Sequence, residues 1–264
     1  MTTLAARRLA RRLISLREAA GFTGLAVEKS KITSRRSLSR IESAATVPAW
    51  PIATELATLY GADATTKALV RELALRAAEP GWTERYADAV PPAHTLLPEL
   101  EGAATSVDAY EPEIIPGFLQ TREYAEAILC ASPLVAPELR PAAIHLRQRR
   151  RALLLPSSGG PKLRVLLTEG GLAREVGGPD VHRAQLDSLR RDAARIDIRY
   201  LPASAGAYAA LVGPFEALRF DDEPDVVYVE HLARAEYLEA SRITGSYDDV
   251  FQASWNRAKE FPGE

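Results

Sequence analysis

A single cysteine, Cys130, among 264 residues excludes an intramolecular disulfide framework and a zinc site built from several thiolates. Lysine is nearly as scarce: 5 of the 33 basic residues are Lys and 28 are Arg, a bias that GC-rich coding alone is enough to produce. No run of 18 apolar residues occurs, and the Arg-rich N-terminus lacks the apolar segment of a signal peptide, so a cytoplasmic protein with no membrane contact is expected. There is no GxSxG, no HExxH, no Walker loop and no GxGxxG opening a helix after a strand. The four histidines, His94, His145, His182 and His231, have no metal-ligand spacing, so neither a metal nor a cofactor is expected. Internal repeats and low-complexity segments are also missing. What remains, 47% apolar residues with both charge signs mixed, is the composition of a globular chain able to bury a large core in one or two domains.

The charge that is present is unevenly placed. Residues 1–40 hold ten Arg or Lys and two Glu, a net of +8, so a total of −2 leaves −10 on the remainder. A basic arm on an acidic body suits a polyanion contact at one end, because phosphate neutralisation provides most non-specific affinity for nucleic acid. The basic residues converge on the stretch from Gly21 to Pro48. There Thr23 and Ser34 are placed to cap two short helices, 23–31 and 34–43. In the second, Leu38 and Ile41 share one face, and Ser34, Arg35, Arg36, Ser37 and Arg40 fall largely on others. Two short helices, the second basic and amphipathic, is the pattern of a helix-turn-helix. The same residues also suit a basic surface helix of an ordinary helical domain.

Around them, Leu9, Leu13 and Leu16 recur at helical spacing over 4–20, Pro51 opens a helix closed by Gly61, and another spans 64–79. Residues 1–79 thus predict a five-helix domain, residues 80–98 an aromatic- and proline-rich bridge whose Trp82 and Tyr86 dock on a domain, and residues 99–264 a second domain. In the second domain helices are predicted at 99–110, 121–131, 137–155, 179–194 and 248–259. Strands are predicted at 163–169, 196–202, 216–220 and 225–232, with a further one in AEYLE. The fold class is α+β: an all-helical head followed by a larger mixed α/β domain.

With these segments laid out, the chain resembles the XRE-type (Cro/C1-like) helix-turn-helix regulators abundant in actinobacteria, whose C-terminal half is a domain of unknown function. The resemblance rests on GFTG, SLSRIES and Pro48 in the head. In the body it rests on ELEGAATSVDAYEPEIIPGFLQTREYAEAIL, LRQRR, LTEGGLAREVGGPDVHRAQLDSL, YLPASAGAYAALVGPFEALRF and DVVYVEHL, roughly 160 residues. It implies a regulator of development or secondary metabolism, often encoded beside a small partner protein. Four positions depart from the family pattern: Glu28 where a packed Ala is usual, Lys31 at a buried Leu-like position, Ile32 at the turn that takes Gly, and Ala44 for a Gly after the recognition helix. A β-branched residue at positive φ and an unpaired buried charge are both costly, so a distorted motif is expected, softened if Glu28 pairs with Lys31.

Chemistry-bearing residues are few. If the strands are neighbours, Glu169, Tyr208, Glu230 and His231 line one end of the sheet as a candidate ligand site. GGLAREVGG reads as turn geometry between a strand and a helix. EPEIIPGFLQT reads as a rigid loop packing domain to domain, with Gln120 and Thr121 capping the next helix.

The leading expectation is a transcriptional regulator acting as a homodimer on double-stranded DNA. Arg35, Arg36, Ser37 and Arg40 would read or clamp it, and Arg7, Arg8 and Arg11 would contact phosphates. The second domain would sense a small effector or hold a small protein partner. The alternative is a regulator-derived protein that has lost DNA and binds or cyclises a natural-product intermediate, with Tyr208 or His231 as the acid.

Overall fold

The computed structural model describes residues 3–262 except 92, 93, 158, 222 and 233. The chain divides into two compact units, residues 1–85 and 86–264. The first contains five helices: α1 (Leu4–Ala19), α2 (Gly24–Lys29), α3 (Arg35–Glu42), α4 (Trp50–Leu59) and α5 (Ala64–Ala78). Four begin on a hydroxyl or carboxylate cap: the side chains of Thr3, Thr23, Ser34 and Asp63 accept the amides of Ala6, Ala26, Ser37 and Thr66. Gly21 and Gly61, after α1 and α4, take the positive φ that lets the chain turn out of a helix. Leu9, Leu13, Val27, Leu38, Ile41, Leu56 and Val70 meet in one core. Arg17 of α1 and Glu42 of α3 close it at one side by a two-pronged pair, Nε–Oε1 2.6 Å and Nη2–Oε2 3.2 Å, with Arg17 Nη1 also donating to the Phe22 carbonyl.

The connection between α2 and α3 keeps a tight turn, in a register one residue away from the expected one. Lys31, not Ile32, takes the left-handed conformation (φ 64°), and Ile32 packs against the core. The long exposed lysine side chain thus stands where a buried residue was expected, and the β-branched one is spared positive φ. Glu28 also escapes burial. Its Oε1 accepts the amide of Arg35 at 3.2 Å, satisfying an orphan donor in the first turn of α3 instead of pairing with Lys31. Ala44 carries the second strained angle, φ 55°, while its methyl is buried beside Ala6, Ala10 and Ala77.

The second unit is built on a seven-stranded sheet in the order β6-β5-β4-β1-β2-β3-β7. The strands are β1 (Ser106–Tyr110), β2 (Lys162–Thr168), β3 (Asp197–Leu201), β4 (Phe215–Arg219), β5 (Val226–Glu230), β6 (Ala235–Leu238) and β7 (Lys259–Glu260). β1, β2 and β3 run parallel, and the remaining neighbours pair antiparallel. The helices are α6 (Leu97–Ala103), α7 (Arg122–Ala131), α8 (Arg140–Leu154), α9 (Glu169–Ala173), α10 (Pro179–Ala193) and α11 (Ser241–Trp255). On one face Tyr110, Leu166, Leu201, Phe215 and Ala217 pack against Phe251 and Trp255 of α11. On the other, Arg150 of α8 reaches Glu216 of β4. Asp108, 1% exposed at the middle of the sheet, ties three strands: Arg164 of β2 clasps it with two nitrogens at 2.6 Å, and Arg219 of β4 donates at 2.6 Å while also holding Asp248 of α11.

Two predicted elements are corrected. The helix expected over 99–110 stops at Ala103, and Ser106–Tyr110 is the central strand. Val107, Asp108, Ala109 and Tyr110 are all buried, so the alternation that betrays a half-exposed strand is erased. The last helix begins at Ser241 rather than Asp248, because Thr244, Phe251 and Trp255 share a buried stripe that outweighs the β-branched and Gly-containing start. Tyr86 belongs to the second unit, where its hydroxyl meets His145 Nδ1 at 2.8 Å. The 111–121 loop packs within this unit. Thr121 caps α7 as expected, but Gln120 donates back to the Ile115 carbonyl, and Gln185 of α10 receives the Thr121 amide.

Lys31→Gly is expected to raise the thermal stability of the first unit, by about 0.5–1 kcal/mol once the cost of a left-handed lysine is set against the greater freedom of an unfolded glycine. Ala44→Gly is expected to gain less, since it also removes a buried methyl. Glu42→Gln leaves Arg17 partly buried without its carboxylate and is expected to cost about 1–3 kcal/mol, read by urea unfolding of the same unit.

Candidate nucleic-acid interface and buried polar cluster

Helix α3 presents two faces of opposite character. Leu38 and Ile41 are buried, while Ser34, Arg35, Arg36, Ser37, Ser39 and Arg40 are exposed. Arg36 makes no hydrogen bond or ion pair with any described residue, so its guanidinium is available. Arg35 lies with its stem over Gly24, where an added Cβ would stand 3.3 Å from Arg35 Cγ; a side chain there would displace it. Ser34 and Ser37 share a hydroxyl–hydroxyl bond of 3.0 Å, and exposed Arg40 donates through Nε to Thr46 Oγ1 at 2.9 Å. Arg7, Arg8 and Arg11 of α1 are half-buried, in contrast to the open face of α3. Burial pushes the Tyr60 hydroxyl up to about 12, with Glu42 adding to the shift, so the Arg17–Glu42 region carries one internal ion pair and a neutral phenol. Arg17 is held by that pair.

Of the four residues expected to line one end of the sheet, Glu169, Glu230 and His231 sit at strand ends and Tyr208 in the β3–β4 connection, each with different partners. Glu169 opens α9 and accepts the Ala203 amide at 2.6 Å. The Tyr208 hydroxyl meets Tyr110 at 2.9 Å on the face covered by α11. Glu230 belongs to the opposite face, and His231 turns to Glu236 on the neighbouring edge strand, 3.9 Å away. Tyr208 and His231 therefore do not join in one acid/base pair.

A different cluster gathers around Glu230. In period-two register on one face of the sheet stand Glu111, Glu216, Tyr228 and Glu230, at the end where β1 finishes and β4 begins. Opposite them, Arg147 and Arg150 project from one side of α8, and His94 comes from the segment before α6. The Tyr228 hydroxyl donates to Glu230 at 3.1 Å and lies 3.0 Å from His94 Nδ1. Arg150 places two nitrogens at 2.7 Å on Glu101, which is fully buried, and one at 3.2 Å on Glu216. Gly117 makes room for this: a Cβ there would stand 3.4 Å from Arg147 Nε and 3.5 Å from Arg150 Nη1. None of these residues except Glu230 was apparent in the sequence. The usable signals were the charged Glu216 between apolar Phe215 and Ala217, and Arg147 and Arg150 three apart on one helix face.

Burial shifts the ionisable groups of this cluster. Burial first, then repulsion from Glu230 and Glu113, pushes the Glu111 carboxyl up to about 8. Glu216 is raised by burial and by Glu101, against the pull of Arg150. Burial and the neighbouring Arg150 bring Arg147 down to about 10, partly offset by Glu230. His94 is lowered by burial, against the pull of Glu230. Among the described residues no group of three or more His, Cys, Asp or Glu is arranged to hold a metal, and no helix is long and apolar enough to cross a membrane. A carboxyl raised on folding binds its proton more tightly in the native state, so its contribution to stability is present at low pH and lost as pH rises toward 8. The thermal midpoint is therefore expected to fall between pH 5 and 8 (an interval set by the ordinary and raised Glu values) more steeply in the native sequence than in Glu111→Gln, as followed by circular dichroism.

Residues 8–73 match a family described as a helix-turn-helix domain, which supports DNA binding and a role in regulating transcription. Residues 95–261 match a family described as Domain of unknown function (DUF5753). No curated protein and no solved structure matches the chain. With the second match spanning more than half of its length, the chain belongs to the DUF5753 family, joined here to a helix-turn-helix head.

Proposed function

We propose that the protein is an XRE-type transcriptional regulator in which residues 1–79 bind double-stranded DNA as a homodimer and residues 99–264 sense an effector or hold a small protein partner. The observation that carries it is the open basic face of α3, packed through Leu38 and Ile41 in a helix-turn-helix whose turn is preserved by Lys31 and Ile32. The start of a recognition helix is where base edges are met, and Arg35, Arg36 and Ser37 occupy it. Arg35 and Arg36 are the residues able to reach guanine edges or phosphates, Ser34 and Ser37 offer hydroxyls, and Arg40 clamps the backbone beside them. Arg7, Arg8 and Arg11 serve as secondary phosphate contacts, limited by their partial burial. Control of development or secondary metabolism in the cytoplasm accords with the family resemblance. The cyclase alternative was motivated by a distorted motif; with Glu28 capping α3 and Ile32 in the core, that motive falls away.

In a mobility-shift titration against DNA from upstream of its own gene, the protein is expected to bind with affinity falling steeply as salt rises. Arg36→Ala is expected to weaken binding about tenfold or more with thermal stability unchanged, since its side chain supports nothing in the fold. Absence of any shift at low salt would remove the reading. An Arg36→Ala protein that binds as tightly as the native one would remove α3 as the reading helix.

A further inference from the structure

We propose that the open pocket at the starting edge of β1, β2 and β3 binds a small sugar phosphate, with Lys162 and Arg195 on the phosphate and Asp197 on the hydroxylated body. The inference deepens the sensor reading of the second unit and rests on it only for its regulatory consequence.

The pocket has a volume of about 650 Å³, inside the range of roughly 300–1,000 Å³ that small-molecule sites occupy. Strand register decides what lines it. Ser106, the first residue of β1, stands opposite Arg219 of β4 on one side and Lys162 of β2 on the other. One step further in, Asp108 is opposite Arg164, and Arg164 is opposite Asp197 of β3. Residues two apart on a strand share a face, so the outer row holds a hydroxyl between two cations and the next row alternates in sign. Arg195, two residues before Asp197, adds a further cation to the lining, and Ala193, Ala194 and Ile196 beside it supply an apolar wall.

Pairing within the chain accounts for only two of the four cations. Arg164 is held by Asp108, and Arg219 by Asp108 and Asp248. Exposed Lys162 makes no side-chain hydrogen bond or ion pair with a described residue. Arg195 gives one terminal nitrogen, Nη2, to the carbonyls of Leu155 and Pro156, neutral acceptors that leave its charge uncompensated. Two positive charges are thus left in the lining of a concave site, where fields of one sign concentrate on an incoming ion. A phosphate ester brings about −1.5 to −2 charges and three acceptor oxygens, a match for two cations and the Ser106 hydroxyl.

The rest of the lining calls for more than the anion. Asp197 is exposed and likewise has no hydrogen bond or ion pair with a described residue. A carboxylate beside these cations resists a ligand that is anionic throughout, yet it accepts hydroxyl hydrogens readily. A body rich in hydroxyls, with a carbon face for the wall of Ala193 and Ala194, meets both conditions. DNA phosphates are the other source of the same anion chemistry, and Lys162 separates the two.

The test titrates the full-length protein by isothermal calorimetry at pH 7.5 with ribose 5-phosphate, glucose 6-phosphate, ribose and inorganic phosphate. At least one sugar phosphate is expected to bind saturably and raise the thermal midpoint, ribose not to bind, and inorganic phosphate to bind at least tenfold more weakly. Lys162→Ala is expected to weaken sugar phosphate binding about tenfold with the fold unchanged, because the side chain holds no other group in place. Arg195→Ala, which also loses bonds to two carbonyls, is expected to weaken it at least as much. Asp197→Asn is expected to weaken the sugar phosphates several-fold and leave inorganic phosphate as it was. Binding of neither sugar phosphate, equal binding of ribose or inorganic phosphate, or sugar phosphate binding unaltered by Lys162→Ala or by Asp197→Asn would overturn the proposal. Retardation of DNA is expected to be the same for Lys162→Ala as for the native protein; its loss would assign this cation to DNA and overturn the site. Retarding DNA while binding no sugar phosphate defeats this site alone. Sugar phosphate binding without DNA retardation supports the site and defeats the regulator reading.

Discussion

Glu101 has no solvent exposure, and the Arg150 guanidinium answers it. An isolated buried carboxylate is far too costly to keep, so a guanidinium must meet it with both prongs. Arg150 does so at 2.7 Å, and in doing so joins α6 to α8 and, through its third contact, α8 to β4. The burial of Arg150 favours loss of its charge, yet Glu101 and Glu216 hold its pKa above the ordinary value. The consequence reaches beyond stability. A guanidinium engaged this fully has no contact left for Glu111 or Glu230.

The opposite face of the same sheet solves the same problem without a shortage. Asp108 receives Arg164 and Arg219, and Arg219 passes its other terminal nitrogen to Asp248. Arg164 also lies over the rings of Phe251 and Trp255, 4.9 and 5.3 Å from their centroids, so its charge is shared with an aromatic surface. On that side Asp108, Arg164 and Arg219, already paired with one another, line an open pocket of about 650 Å³. The Glu101 side is left with unmatched groups at the strand ends. A parallel set of strands entering loops and helices at one edge is where small-molecule sites form in α/β sheets, and the unmatched groups lie at that edge.

In the head, one residue of register separates a strained motif from a sound one. A left-handed turn can be made by lysine at modest cost, whereas isoleucine there would clash through its branched Cβ. The chain places Lys31 at the turn and sends Ile32 inward, and the Glu28 carboxylate falls beside the first amide of α3 instead of inside the core. Substitutions that look like decay one at a time thus compensate as a set. The basic face of α3 is left facing solvent and the apolar face stays packed.

The helices of the head were legible from residues alone, because capping hydroxyls, glycine stops and leucines at helical spacing act over a few neighbours in the chain. Strands β2 to β6 were legible for a similar reason, being apolar or alternating runs bounded by turn residues. Strand β1 was not, since a strand buried on both faces shows no alternation, and its partners lie some fifty residues away at Lys162 and more than a hundred away at Arg219. The expected grouping of Glu169, Tyr208, Glu230 and His231 does not come together, because side-chain parity across a sheet depends on pairing register. Local propensity and capping settled the helical head. The supply of guanidinium groups to buried carboxylates, Arg150 to Glu101 and Arg164 and Arg219 to Asp108, was settled only when distant segments folded together.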